Sequence, residues 1–229
     1  VQMQSRFKNL LRKVDRIDYV NADFPAGYEK TEEDYRIVKN KMENLKNTFL
    51  HFMTYEHGGH AYKTAMRAIE VVGRRVKKDS FEVRSFYKET ELTGREIAKV
   101  QSNDALKSLA EKYSDAFSAV EDAKVKMNEE YEDIIKHIKE LQESSRAIDE
   151  KRANVLNLRY DLEKMYKKKS PGNEELDNLK AEFNQEANLI KEEMKGYVGG
   201  KGVSEVIKRA CKAMATFSKE ISTALETVK

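Results

Sequence analysis

Apolar side chains recur at every seventh residue along one long stretch of the chain, residues 104–169, which no proline or glycine interrupts. A repeat held this long is typical of helices that supercoil around partners, because a helix must under-wind slightly to keep such a stripe on one side. At about 1.5 Å per residue, we predict a single helix of roughly 100 Å. The repeat consists of Leu106, Tyr113, Val120, Met127, Ile134, Leu141, Ile148, Val155 and Leu162.

The apolar face of this helix changes in width along its length. Leu109, Phe117 and Tyr131 widen the face in its first half. The equivalent places further along hold Ser145, Arg152 and Arg159. A wide stripe needs more covering helices than a narrow one. We therefore predict a thick end at residues 106–138 and a thin arm towards residue 169.

Further apolar stripes predict helices on either side of this one. One begins at Tyr28 and ends at the glycines of residues 57–60, and residues 80–101 carry a less regular helical segment. The turn signal at residues 169–173 precedes a helix that begins at Glu174, bends at the glycines of residues 199–202 and continues to the end. Tight turns make neighbouring helices antiparallel. We predict an all-α fold, an elongated antiparallel three-helix coiled-coil bundle with kinked helices.

The predicted thick end exposes more apolar surface than a three-helix monomer would cover. The wide stripe meets the small side chains Ala210, Ala213 and Ala215 of the last helix at the same end of the hairpin. Large exposed apolar patches mark interaction sites, and self-complementary ones produce two-fold dimers. We expect a homodimer with the thick end at its centre.

Composition narrows the function classes. Charged residues make up 36% and apolar ones 39%, with two prolines and no tryptophan, which argues against all-β and α/β folds. The single Cys211 excludes an internal disulfide and suggests a reducing compartment. A net charge of +3 is too small to imply nucleic-acid binding. The histidines His51, His57, His60 and His137 are scattered, and no catalytic or metal-ligand arrangement is visible, so we expect neither an enzyme nor a bound metal or cofactor.

Basic residues cluster in the first twenty residues and at the end of the long helix. Residues 1–17 form a basic amphipathic pattern, which fits either an element lying in a membrane interface or a helix packed on its own domain. We divide the chain into this N-terminal segment, residues 1–20, and a helical domain, residues 21–229. The basic side chains in question are Arg6, Lys8, Arg12 and Lys13 in the first cluster, and Lys164, Lys167, Lys168 and Lys169 in the second.

Several short stretches carry a family resemblance. Arg-Tyr-Asp at residues 159–161, the lysine-rich tip, Glu-Glu-Leu at 174–176 and Ala-Glu-Phe at 181–183 resemble the second and third helices of the BAR (Bin/amphiphysin/Rvs) domain superfamily. Residues 24–49 are similar to its first helix. Within the superfamily, we compare the chain with the fungal Golgi-vesicle (Gvp-type) branch.

The resemblance implies a crescent-shaped homodimer that binds anionic phospholipid membranes and senses or generates curvature in vesicle trafficking or endocytosis. It places the protein in the cytoplasm, peripheral on membranes, with proteins of the trafficking machinery as further partners and no nucleic acid. Carried over to this chain, the lipid-binding tip is Lys164, Lys167, Lys168 and Lys169, and Lys151, Arg152 and Arg159 are candidates along the arm. The competing hypothesis is a cytosolic coiled-coil dimer, an adaptor or tether that binds other proteins without lipid.

Overall fold

The structure is a computed structural model that describes residues 12, 15, 17–59, 64, 65, 84–169 and 172–229. Within these ranges every regular element is helical, as the repeats predict. The helices are α1 (Tyr28–Phe52), α2 (Phe86–Val100), α3 (Asp104–Tyr166), α4 (Glu174–Val198) and α5 (Lys201–Glu226), with a short 3₁₀ helix at Tyr55–His57.

Polar side chains that accept hydrogen bonds from backbone N–H groups fix where three of these helices begin. Ser85 accepts a hydrogen bond from the Lys88 N–H at the start of α2, and Asn173 accepts one from the Leu176 N–H at the start of α4. Asn103 accepts from the first amides of α3, at 3.0 and 3.2 Å. The first amides of a helix have no partner within it, so each cap stabilises its helix by about 1 kcal/mol.

The predicted helix breaks are present. After α1, the 3₁₀ helix ends at Gly58, which has the left-handed φ of 79° that glycine adopts without strain. Gly199 and Gly200 separate α4 from α5, as the shift in the apolar stripe predicts.

The chain divides into two compact units. Unit 1 comprises Val1–Met42 and Lys139–Ser204, and unit 2 comprises Glu43–Ile138 and Glu205–Lys229. The boundaries fall inside α1, α3 and α5, so each of these helices contributes to both units.

Unit 1 is built from the first part of α1, the second half of α3 and α4. The ion pairs Lys169–Glu175 and Lys151–Glu193 run in opposite directions along α3 and α4, which shows that these helices are antiparallel. The core consists of buried aromatic and aliphatic side chains: Tyr28, Tyr35, Val155, Leu162, Leu176, Phe183, Ile190, Met194 and Tyr197.

Unit 2 is built from the end of α1, α2, the first half of α3 and α5. Lys126 lies 3.4 Å from Glu220 and Arg209 lies 3.3 Å from Glu130, so α3 and α5 are also antiparallel. Its buried apolar side chains include Phe49, Val120, Met127, Tyr131, Ile134, Ile138, Ala213 and Phe217.

Helix α2 packs closely on the start of α3. A Cβ at Gly94 would lie 3.0 Å from the Ser114 Cβ and 3.1 Å from the Ala110 carbonyl oxygen. The Ser114 hydroxyl donates to the Glu91 carbonyl at 2.9 Å. Any larger side chain would have to push these neighbours back by a few tenths of an ångström, so Gly94 lets α2 lie this close to α3.

The narrow part of the α3 stripe is also covered. Ser145 is fully buried, and Arg152 and Arg159 pack against aromatic rings from α1 and from the residues that precede it. These polar side chains thus lie on the packed face of α3 beside the apolar residues of its repeat.

Candidate interaction surfaces

Arg152, predicted as a lipid contact, lies in a charged cluster inside unit 1. Its guanidinium binds Glu32 of α1, donates to Asp149 at 2.8 Å and lies 5.4 Å from the centre of the Tyr35 ring. Lys39 binds the other oxygen of Asp149. The Arg152 side chain is 15% exposed, so most of its charge is met within the chain.

Arg159 and Glu163 of α3 hold residues 17–24, which we call the strap. The Arg159 Nε donates to the Ala22 carbonyl at 2.7 Å, and the guanidinium lies between the rings of Tyr19 and Phe24, 4.3 and 4.2 Å from their centres. Such cation–π contacts add to the hydrogen bond and fix the direction of the strap.

The Glu163 carboxylate accepts hydrogen bonds from amide groups of the strap. It accepts the backbone N–H groups of Asn21 and Ala22, at 3.0 and 2.9 Å, and the Asn21 side-chain amide at 3.1 Å. The strap shields it fully from solvent, and this burial alone would raise its pKa. The hydrogen bonds outweigh the burial, so the pKa of Glu163 is lowered.

Lys164 anchors the residues before the strap. Its ammonium lies 2.9 Å from the Asp15 carboxylate, which the Tyr160 hydroxyl also binds. The hydrogen bonds from Tyr160 and Lys164 lower the pKa of Asp15. The one tip lysine that lies before the end of α3 therefore binds within unit 1.

The remaining predicted basic residues differ in their surroundings where the structure describes them. Lys167 and Lys168 are exposed, while Lys169 pairs with Glu175 and Lys151 with Glu193. The Arg12 side chain donates to the Ala153 carbonyl at 3.5 Å. Arg6, Lys8 and Lys13 lie outside the described residues, as does most of the N-terminal segment. Lipid contact by any member of this set stays a prediction.

Sequence reasoning missed a buried lysine in unit 2. Lys124 is 1% exposed, and its ammonium donates to the Phe52 carbonyl at 2.7 Å and to Asn128 at 2.8 Å. Glu56 lies 3.1 Å away as its ion-pair partner. Its position in the sequence could have indicated this burial. Lys124 lies four residues after Val120 and three before Met127, which places it on the buried stripe of α3.

Unit 2 carries most of the large apolar side chains that remain exposed. Two stripes lie on adjacent helices, one on α2 and one at the start of α3, and we call them together the hairpin face. At helical spacing, each stripe occupies one side of its helix. The hairpin face consists of Phe86, Ile97 and Val100, which are 63%, 44% and 81% exposed, and Leu106, Leu109 and Tyr113, which are 50%, 47% and 36% exposed.

A second feature of unit 2 is a groove of about 520 Å³ between α3 and α5. Its floor includes the buried Ala123, Met127 and Phe217, and the ion pairs Lys126–Glu220 and Arg209–Glu130 cross it. Four of the charged side chains that line the groove are thus paired between the two helices.

In the part of the chain that the structure describes, no group of three or more His, Cys, Asp or Glu side chains could hold a metal ion. No helix of these ranges is long and apolar enough to cross a membrane.

No family model matches the chain. Three curated proteins are similar to it over nearly their whole length, and all are named spore wall protein 12. The protein of Encephalitozoon cuniculi is 28% identical over 97% of this chain and 96% of its own. That of Enterocytozoon bieneusi is 27% identical, with 94% of each covered, and that of Nosema bombycis is 25% identical over 97% and 98%.

These names correct the functional part of the sequence analysis. A membrane-curvature protein of vesicle trafficking or endocytosis, cytoplasmic and peripheral on membranes, was the wrong prediction, because relatives that align from end to end are named for the spore wall. The error came from the step between helix pattern and function, since long amphipathic helices serve many functions. The likeness to the BAR superfamily, the crescent shape and the dimer stay predictions.

Proposed function

We propose that this chain is a non-catalytic, structural component of a spore wall, in which copies associate through the hairpin face. The name shared by three relatives with near-complete coverage supports the location and the structural role. The observation that carries the mode of association is the hairpin face itself.

The exposed apolar side chains are unevenly distributed. Outside the hairpin face, unit 2 exposes Phe52, Tyr55, Val125, Ile207 and Leu225, whereas the exposed large apolar side chains of unit 1 are Val20, Ile37 and Leu189 within the described residues. Single exposed apolar residues are ordinary, but two stripes on adjacent helices form a patch that water solvates poorly.

The size of the hairpin face suits a second copy of the chain. Side chains of this size present roughly 100 Å² each when half exposed, so six of them offer on the order of 600 Å² per copy. A standard interface buries about 800 Å² per partner, so this face with its polar rim approaches the size of a stable dimer interface. A two-fold contact needs no other chain, because the same patch serves both copies.

The interface is tested with charge-introducing variants. Leu109→Glu places a carboxylate in the middle of the α3 stripe, and we expect it to convert a dimer into a monomer by light scattering after size exclusion. Leu189→Glu is the matched control, since Leu189 is 53% exposed on α4 of unit 1 and should leave the dimer intact. A wild-type chain that is monomeric at every accessible concentration, or a Leu109→Glu chain that still dimerises fully, contradicts the proposed interface.

The location is tested independently by immunogold electron microscopy of spores from the organism that encodes the chain. We expect gold particles over the wall. Labelling confined to the cytoplasm contradicts the wall assignment whatever the oligomeric state.

A further inference from the structure

We propose that Tyr55 and Tyr87 of unit 2 form an oxidative cross-linking site, at which a peroxidase-type oxidant joins the two rings as dityrosine. Their hydroxyl oxygens are in hydrogen-bond contact although the residues lie 32 positions apart. This inference goes beyond the proposed function and does not depend on association between copies.

Both tyrosines belong to elements that neighbouring contacts hold in place. Tyr55 opens the 3₁₀ helix, whose His57 Nδ1 lies 3.3 Å from the Arg84 carbonyl oxygen. Tyr87 lies in the first turn of α2, directly after the cap Ser85, which also binds Glu121 of α3. The two phenols are therefore brought together by the fold of unit 2, and the reaction gains the advantage of an intramolecular encounter.

The pair is accessible to a reagent in solution. Tyr55 is 47% exposed, and Tyr87 is half-buried beside the ring of Phe86. A small oxidant can therefore reach the two hydroxyl groups, whose contact is exposed to solvent.

The coupling bond forms between the ring carbons next to the hydroxyl-bearing carbons. Each of these Cε carbons is two bonds from its own hydroxyl oxygen, so contact between the oxygens brings the reacting ends of the two rings into the same region.

The reaction balances with hydrogen peroxide as oxidant. Each phenol loses one electron and one proton to give a neutral phenoxyl radical, and the two radicals form a C–C bond between the Cε carbons. The ring protons then move to the oxygens and restore both phenols. In sum, two tyrosines and one hydrogen peroxide give one dityrosine and two waters.

The electrostatic surroundings favour loss of a proton together with the electron. The Lys124 ammonium lies 5.0 Å from the centre of the Tyr55 ring and would oppose a positive charge on that ring. Burial and then the hydrogen bond to Tyr87 raise the pKa of Tyr55, so the phenol remains protonated in its resting state. Solvent water at this exposed site can accept the protons that both phenols lose.

A dityrosine bond would provide a covalent link between distant segments, which a single cysteine cannot form within this chain. With a single cysteine, the chain has no internal disulfide to join distant segments. A bond between Tyr55 and Tyr87 would tie the end of α1 to the start of α2 and close the loop between them, which restricts the unfolded chain in the way a disulfide does.

The test treats the full chain with a peroxidase and hydrogen peroxide and follows dityrosine fluorescence. We expect the signal to form in dilute samples, with a yield per chain that does not change on further dilution. Tyr55→Phe and Tyr87→Phe should each reduce it to a small fraction of the wild-type yield, whereas Tyr166→Phe, which removes a half-buried phenol of unit 1, should not.

Peptide mass spectrometry identifies the linkage. The tryptic peptide of residues 85–88 should appear joined to that of residues 47–63, with the loss of two hydrogen atoms, in a chain of monomeric mass. Because residues 47–63 also contain Tyr62, fragment ions of the joined peptides must place the bond at Tyr55. A full yield in either Tyr55→Phe or Tyr87→Phe overturns the proposal, and so do cross-links found between chains alone. Neither readout requires the hairpin face, so its failure as an interface would leave this result unaffected.

Discussion

Removing the buried charge of Lys124 should destabilise unit 2 strongly. The Lys124 and Glu56 side chains are each 2% exposed, and the Lys124 ammonium also donates to the Phe52 carbonyl and to Asn128. In Lys124→Met the apolar stem is kept, but the Glu56 carboxylate is left buried without its cation. The Glu56 Oε2 atom forms the ion pair with Lys124 and has no hydrogen bond that could take its place.

The magnitude follows from the cost of an unpaired buried charge. Breaking a buried pair by removing one partner costs about 3–5 kcal/mol, more than the pair contributes relative to apolar residues. The last turn of α1 also loses the donor to its Phe52 carbonyl. Adding Glu56→Gln to Lys124→Met removes the stranded charge, so the double variant should regain a large part of the lost free energy of unfolding.

Urea denaturation followed by circular dichroism measures these changes. Lys126→Met is the matched control, because Lys126 lies two residues away on α3 and pairs with Glu220 at 3.4 Å on the surface, with side chains 68% and 37% exposed. An exposed pair of this kind contributes about 0–1 kcal/mol. If Lys124→Met costs no more than Lys126→Met, the assignment of Lys124 as a buried, paired cation is refuted.

Two further predictions concern the strap and α2. In Glu163→Gln, a side-chain amide replaces the carboxylate that accepts the strap N–H groups, so the strap should lose about 1–3 kcal/mol of stabilisation. Its backbone amides should then exchange hydrogen faster. The exposed control Glu175→Gln should leave their exchange unchanged. Because the pKa of Glu163 is lowered, this stabilisation is complete above its ordinary value of 4.5 and is lost as pH falls through the folded-state value. Protection factors of the strap amides, which correct for the intrinsic pH dependence of exchange, should fall in the same range, and protection that does not change on acidification contradicts this. Gly94→Ala forces a Cβ to 3.0 Å from Ser114 and should cost about 1–3 kcal/mol in urea denaturation, while an unchanged midpoint would show that α2 moves freely.

The helices of this protein could be predicted from the sequence because local signals agree. The seven-residue repeat, the turn signal at residues 169–173 and the cap residues all act within a few positions of one another. They predicted the start of α1 at Tyr28, of α3 at Asp104 and of α4 at Glu174, and the structure has the same starting residues.

The long-range polar contacts could not be predicted in this way. Glu163 meets the strap across about 140 positions, and Lys124 meets Phe52 across 72. A pattern of charges does not distinguish a solvated lysine from one that caps another helix. For the same reason, Arg152 and Arg159 were grouped with exposed basic residues although both are bound within unit 1.

Function was harder to predict than fold, because an amphipathic helix specifies what it buries and not where the protein acts. The tip lysines and the long repeat favoured a membrane function, and the full-length relatives contradict it. The exposed apolar residues of α2 and α3 were the more informative signal, since they carry a cost in water that an interface removes.

Association through the hairpin face is tested most directly by hydrogen exchange of the full chain at low and high concentration. We expect the backbone amides of residues 86–113 to exchange more slowly as concentration rises, while those of α4 in unit 1 do not change. Exchange that is independent of concentration in α2 and the start of α3, or protection that appears on α4 instead, would contradict the account.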